Sequence, residues 1–485
     1  MINMNAAEEF YSHHYERLNL LADPIYGYIP FTKRLESGMS EASEEDLIDT
    51  RWVQRLRRIH QLQAAWWVFP SGEHTRFQHS LGTMHLAGEF ARHLYESLYA
   101  VCDGKGNIPS SAKVVETARI AGLLHDVGHG PFGHFFDEYY LKKWEVNHEV
   151  VGQKIITGPL RTLIENISTG LEGNFDQGES LSAEDIAWLI KKPEKDDKQE
   201  RELWLRLLKP IFCGLYTADN LDYVCRDAYM TGVSIDFVDT ERLIYYTYFW
   251  EIETKPSMVL HLNGVSALAR FLQAKFYMYD SIYTHRTVRA IELEMRDVFY
   301  NTIERLLKKN PIDDLDAYLA FDEWSLIDKV SNWAENAGDQ LEQSWKRILK
   351  RNPRWKRVFE MRSELERPHP MTRMWTEEEL TKEICNQLAP GLQQKVHLED
   401  IRVDIASLDP RPENPYLDKY GVEIYDPVAR KTITEPWARI LKGVPSKAFI
   451  VRVFATSKEH AQEINEATRN VLLKHNRPPQ FPTNI

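Results

Sequence analysis

Cysteine is scarce in this sequence: Cys102, Cys213, Cys225 and Cys385 are the only four in 485 residues, and no two form a C-x-x-C pair. Such spacing excludes a disulfide scaffold and argues against a thiolate zinc site. Long apolar runs are missing too, and no stretch approaches the length of a bilayer span. The N-terminus, MINMNAAEEFYSHHYERLN, has no basic-then-apolar signal pattern, so the expected location is cytoplasmic, with no membrane partner. Positive charge is in deficit. Lys and Arg total 60 against 72 Asp and Glu, a formal net charge of −12. The average field therefore repels phosphate, and a polyanionic substrate needs a locally basic pocket.

Most of what is present reads as helix, with apolar residues recurring at three and four over 44–62, 79–99, 112–124, 211–230 and 267–307. The stretch KKPEKDDKQERE, 191–202, reads as a charged surface connection. The texture changes near Gly391. Beyond it come the β-rich runs VHLEDIRVDIASL, YGVEIYD and KAFIVRVFA, Pro-rich turns (DPRPENP), an amphipathic helix over 457–474 and a loose tail, NRPPQFPTNI. The expected fold is mainly α: a helical body over 1–390, with its core motifs in 49–290, and a smaller α+β C-terminal lobe over 391–485.

Histidine carries the chemistry. His79, His125, His129, His134 and His148 stand in RFQHSLG, LLHDVGHGPFGH and NHE. Phosphoester hydrolysis at a metal needs nitrogen and oxygen ligands with positions left open. The pair His125-Asp126 ends an apolar helix and runs into glycine-rich sequence. Neighbouring side chains on a helix splay by about 100°, so one ion takes both only at a helix end. An HD dipeptide alone reads equally well as a histidine favoured by a helix C-terminus; the following VGHGPFGHFFD, with two more histidines and three glycines, tips the balance toward a site. In LYTADNLDYVCRDAYMTG, Asp219, Asp222, Tyr223, Arg226 and Asp227 make one polar stripe opposite Leu221, Val224 and Ala228. Taken alone that stripe reads first as a solvated face, and it also suits a metal ligand followed by substrate contacts.

The order His79, His125-Asp126, Asp219 resembles the H…HD…D signature of the HD superfamily. The phrases DPIYGYI, LIDTRWVQRLRRIHQL, WWVFPSGEHTRFQHSLG, LLHDVGHGPFGHFFD, NHE and DNLDYVCRDAYMTG resemble its dGTPase-like dNTP triphosphohydrolases, in order and with similar spacing. The likeness is dense over 23–242 and thinner to 285. It implies His79, His125, Asp126 and Asp219 as ligands of a divalent metal (Mn, Mg, Fe, Ni, Co or Zn). It implies His129, His134, His148 and Glu149 as phosphate-lining and proton-transferring groups, and Arg76 as a two-pronged phosphate donor. Tyr223, Asp227 and Tyr283 would hold the deoxyribose, Gln61 and Leu62 would lie near the 3′-hydroxyl and base, and Lys275 would meet phosphate. His13, His14, His60, His74 and His285 are expected to be surface or packing residues.

The implied reaction converts dNTP and water to deoxynucleoside and inorganic triphosphate. Activated water attacks the α-phosphorus, and a histidine, with its pKa near ~6.5, protonates the departing oxygen. Asp49, Gln54, Arg55, Arg57, Asp239 and Arg242 match an activating GTP or dNTP site of vertebrate members, which implies a homo-oligomer, from dimer to tetramer or hexamer. Lys275, Asn220 and Thr284 depart from those members, which have arginine, lysine and glutamine there. The basic run Lys346, Arg347, Lys350, Arg351, Arg354, Lys356 and Arg357, with Trp345 and Trp355, suits either a shared nucleotide site or single-stranded nucleic acid. Two other functions share the signature: an HD phosphodiesterase or nuclease, and a non-catalytic nucleotide-sensing scaffold.

Overall fold

Thr75 and Gln78 form a capping box that starts the longest described helix, Arg76–Cys102, and the body is built around it. The computed structural model describes residues 15–34, 41–193, 201–252, 255–336, 338–365, 375–408, 421–436, 440 and 447–474. His13, His14, the DPRPENP turn, the last eleven residues and most of the 191–202 connection lie outside these. The helix Ser111–Leu124 packs along Arg76–Cys102, and Ala218–Thr231 crosses it. These three bring His79, His125 and Asp219 to one point.

The periodic stretches are broken more often than their patterns announce, and each break has a local cause. Over 44–62, Thr50 accepts from the Val53 amide and starts a new helix, Arg51–Arg55, after Glu44–Ile48. Over 211–230, Pro210–Cys213 stops at Gly214, and Thr217 caps Ala218–Thr231. Over 267–307, Val265–Met278 passes into a π turn, Tyr279–Tyr283, before His285 caps Arg286–Leu306. Such bulges recur at functional sites, and this one carries Tyr283.

An N-terminal hairpin pairs Leu18–Asp23 with Gly27–Thr32 in antiparallel register. Its turn is set by the Asp23 carboxylate, which accepts from the amides of Ile25 and Tyr26 at 2.9 and 3.1 Å.

The C-terminal sequence is shared between two sheets. In one, Lys447–Ala455 lies between Lys356–Leu365 and Ile401–Leu408. Packed by Glu377–Gln387 and Ala461–Lys474, this sheet has its own core, running from Phe359 to Leu472. The second core thus begins ahead of Gly391, because its first strand is separated in sequence from its partners by a helix. In the other sheet, Gly421–Asp426 and Lys431–Pro436 add to the body hairpin Thr247–Ile252/Lys255–His261. Among the described residues no helix is long and apolar enough to cross a membrane.

Candidate metal and substrate site

Four donors converge at the N-terminal end of Arg76–Cys102. Nε2 of His79 lies 3.1 Å from Nε2 of His125 and 3.1 Å from Asp219 Oδ1. Asp126 Oδ1 is 3.3 Å from His125 Nε2, and its Oδ2 is 3.9 Å from His79 Nε2. Donors bound about 2.1 Å from one ion stand about 3.0–3.5 Å apart, so the spacings of His79 to His125 and Asp219 fit a shared cation, with Asp126 beside them against His125.

The second ring nitrogens decide which atoms face inward. His79 Nδ1 bonds Asp222 Oδ2 at 2.7 Å, and His125 Nδ1 bonds the Gly122 carbonyl at 2.8 Å. Both Nε2 atoms are thereby free to accept a metal. Burial disfavours a charged His79, yet the hydrogen bonds and charges of Asp219 and Asp222 push its pKa up to about 10. The cluster is a negative well that calls for a cation, and its nitrogen and carboxylate donors suit a divalent one. Asp219 is 36% exposed at the side chain, which leaves that flank open.

Asp222 is itself held on every side. Arg226 donates to both its oxygens at 2.9 and 2.8 Å, and Tyr26 donates at 2.8 Å. Asp23 pairs with Arg226 at 2.7 Å, so the N-terminal hairpin buttresses the ligand. Gly82 makes room: a Cβ there would lie 1.9 Å from Asp222 Oδ1.

A second cluster abuts the first. His129 Nε2 is 3.3 Å from Asp126 Oδ1, and its ring stacks on His148 with centroids 3.7 Å apart. His134 meets both rings edge-on at 4.9 and 5.1 Å. One carboxylate serves this group: Asp137 Oδ2 accepts from Nδ1 of His148 and lies 3.5 Å from Nδ1 of His134. The two stacked imidazoles are driven apart electrostatically. Burial, Arg76 and His148 push His129 well below the usual histidine value. His148 is raised, because the charge and hydrogen bond of Asp137 outweigh its burial.

Arg76 spans the clusters. It donates to Asp126 Oδ2 at 2.6 Å, while its buried Nε has no partner among the described residues. Gly133, at φ +55°, lies so close that a Cβ would sit 2.2 Å from Arg76 Nη2.

On the Asp219 side, Asp227 accepts from Tyr283 at 2.6 Å and bonds His74 at 2.8 Å, with Tyr223 edge-on to Tyr283 at 6.3 Å. Burial and Asp227 raise the Tyr283 pKa well above its ordinary value. Lys275 donates to Asn220 at 3.1 Å. Gln61 bonds the His74 carbonyl through its amide, and its buried Oε1 has no partner among the described residues; Leu62 is core.

Several residues singled out from the sequence have other settings. Glu149 accepts from the Lys192 amide at 3.0 Å, and its charge adds to the raising of the His148 pKa. Asp137 hydrogen-bonds His148, and the i, i+3 spacing in HFFD signals only its pairing with His134. Arg55 is fully buried and donates to the carbonyls of His129 and Phe321. Gln54 bonds the Ile48 carbonyl, and Arg57 lies over the Phe77 ring and bonds Gln54. Asp49 and Asp239 cap helix ends, and Arg242 donates to the Asn263 carbonyl. In the basic run, Arg347, Arg354 and Arg357 pair with Glu294, Asp297 and Glu360.

The chain matches the HD domain family over residues 76–210 and the HD associated region over 238–478. It is similar to the uncharacterized protein YwfO of Bacillus subtilis, 29% identical over 57% of this chain and 54% of that protein. It is also similar to the Dictyostelium discoideum deoxynucleoside triphosphate triphosphohydrolase SAMHD1 homolog, 23% identical over 90% of this chain and 78% of that one. Human deoxynucleoside triphosphate triphosphohydrolase SAMHD1 is 24% identical over 86% and 65%. The chain spans about half the length of the first curated relatives it matches. A crystal structure of a hypothetical protein from Aquifex aeolicus has the same fold, with a TM-score of 0.63, 23% identity, and 93% and 99% of the two chains covered. With the histidines and aspartates in place, residues 76–210 form an HD domain, the domain of metal-dependent phosphohydrolases, which spans the first three candidate ligands.

Proposed function

We propose that this protein hydrolyses deoxynucleoside triphosphates to deoxynucleoside and inorganic triphosphate. The observation that carries the reading is the contact between the two histidine clusters at Asp126 and His129, 3.3 Å apart, with an aromatic-carboxylate wall beside it. A nucleoside oxygen is a poor leaving group, and a triphosphohydrolase needs a proton donor within reach of its metal ligands. His79, His125, Asp126 and Asp219 would hold the cation, which supplies Lewis acidity to water and to phosphoryl oxygen when bound.

The chain's own groups do the rest. Arg76, between the two clusters, and Lys275, bonded to Asn220, supply positive charge for the phosphates. Asp137 lies against the Nδ1 atoms of both His148 and His134 and raises the His148 pKa, so His148, with the half-exposed His134 beside it, protonates the departing oxygen. Tyr223, Tyr283 and Asp227 pack and orient the sugar, leaving little room at its 2′ position. The names of the Dictyostelium and human relatives support a dNTP substrate.

The test is incubation of purified protein and manganese with each dNTP, with and without GTP, and separation of the products. Inorganic triphosphate is the expected product. Pyrophosphate, or cleavage of oligonucleotides alone, would overturn the reading. The GTP arm and the oligomer size measured alongside test the activator and assembly expectations.

A further inference from the structure

The loop that carries His129 and opens onto His134 is held by residues outside the chemistry as well as by the Asp126 carbonyl, which accepts from the His129 amide at 3.0 Å. It runs from Gly128 to Gly133, and two successive residues sit in left-handed backbone: Phe132 at φ +63° and Gly133 at +55°. A bulky phenylalanine seldom adopts that conformation, and such residues persist where the surroundings over-determine them.

The surroundings here come from two distant parts of the chain. The Tyr318 hydroxyl donates to the Gly128 carbonyl at 2.8 Å, and Arg55 Nη1 donates to the His129 carbonyl at 2.6 Å. Glu323 Oε2 accepts from the Phe132 amide at 3.1 Å. These three groups also lock one another. Arg55 lies over the Tyr318 ring at 4.4 Å and donates twice to the Phe321 carbonyl, between Tyr318 and Glu323. Glu323 further accepts from the His60 amide, His60 Nδ1 and Trp66 Nε1 at 3.3, 2.7 and 3.1 Å. It meets four donors, which suits an acceptor-only carboxylate. All three residues are buried.

We propose that Arg55, Tyr318 and Glu323 are positioning residues: a clamp that keeps His129 against Asp126 and sets where His134 begins its helix. Their hydrogen bonds go to the backbone of 128–132 and to one another's surroundings, away from the metal ligands' side chains and the Asp227 wall. Their action on the reaction therefore passes through the loop backbone. The clamp rests on the phosphohydrolase reading for its rate consequence but not for its structural one.

The experiment compares Glu323→Ala and Tyr318→Phe with the unmodified full chain in manganese. Hydrogen–deuterium exchange, dNTP turnover, manganese stoichiometry and melting temperature are measured on each. The expected result is faster exchange centred on residues 128–134, joined in Glu323→Ala by the His60 amide that the same carboxylate accepts from. It is accompanied by a fall in kcat approaching about 100-fold for Glu323→Ala and a smaller one for Tyr318→Phe, at unchanged KM and metal stoichiometry. Should Glu323→Ala not fold, Tyr318→Phe decides, since it keeps the ring under Arg55 and removes one hydroxyl. Native exchange in 128–134 in a folded variant overturns the clamp, as does exchange that rises equally throughout the body. If no dNTP is hydrolysed by the unmodified chain, the substrate reading fails and the exchange result judges the clamp alone.

Discussion

Nδ1 of His79 and Oδ2 of Asp222 stand 2.7 Å apart, both fully buried, and that contact aims the opposite ring nitrogen at the other metal donors. Such outer partners govern ligand basicity as well as direction. Asp222→Asn is therefore expected to weaken manganese binding by about 10–100-fold, read by titration calorimetry. Asp126→Ala, which removes a ligand outright, is expected to abolish turnover together with bound metal. Retained metal and full activity in Asp126→Ala would mean the site has been misassigned.

Asp137 is expected to matter more to rate than to binding. Asp137→Asn should lower kcat by about 100-fold or more, with manganese affinity little changed. The pH profile gives the sign. Burial lowers the His148 pKa, and Asp137 more than compensates. Without that charge the His148 pKa falls, so the protonated form is lost at lower pH and the alkaline limb of kcat moves to lower pH. An unmoved limb would show that His148 is not the titrating acid.

Tyr283→Phe keeps the ring and removes the donor to Asp227. Asp227 then loses the donor that fixes it in the sugar wall, so KM for a dNTP is expected to rise while kcat changes less. Steady-state kinetics on a dNTP and its ribo counterpart measure it. An unchanged KM for both would remove Tyr283 from the sugar site.

His60 makes a stability prediction that is independent of any substrate. Burial lowers its pKa, but Glu323 and then Glu73 raise it overall. A raised folded value means that the protonated ring stabilises the fold fully below the ordinary value of about 6.5. That contribution is lost as pH rises through the higher folded value. His60→Gln should therefore lower the melting temperature at acidic pH and converge on the unmodified protein at alkaline pH. A gap that widens with pH would reverse the assignment.

The parts legible in the sequence were those whose partners are near in the chain or fixed by helical spacing. His125-Asp126 announced itself because a helix end and glycines follow it directly, and the stripe from Asp219 to Asp227 proved to carry Asp222 and Arg226 on its inner side. His74 was expected among the surface or packing residues; it is buried and fixes Asp227. Uninterrupted apolar periodicity over 267–307 hid the π turn that turns Tyr283 inward, since a bulge leaves the pattern almost intact. Arg55 could not be read as a loop clamp because its partners are the carbonyls of His129 and Phe321, and a carbonyl leaves no trace in residue identity.

The strand Gly421–Asp426 lies parallel to Lys255–His261, its Ile424 is wholly enclosed in the main core, and Tyr425 rests 4.9 Å from Trp250. A protein ended near residue 390 would lose this strand, baring the main-chain edge at Leu260 and His261 alongside aromatic surface. Bare edges of that kind recruit other chains. Trimming toward a minimal body thus carries a cost: the later strand is the selvedge of a sheet begun mid-chain.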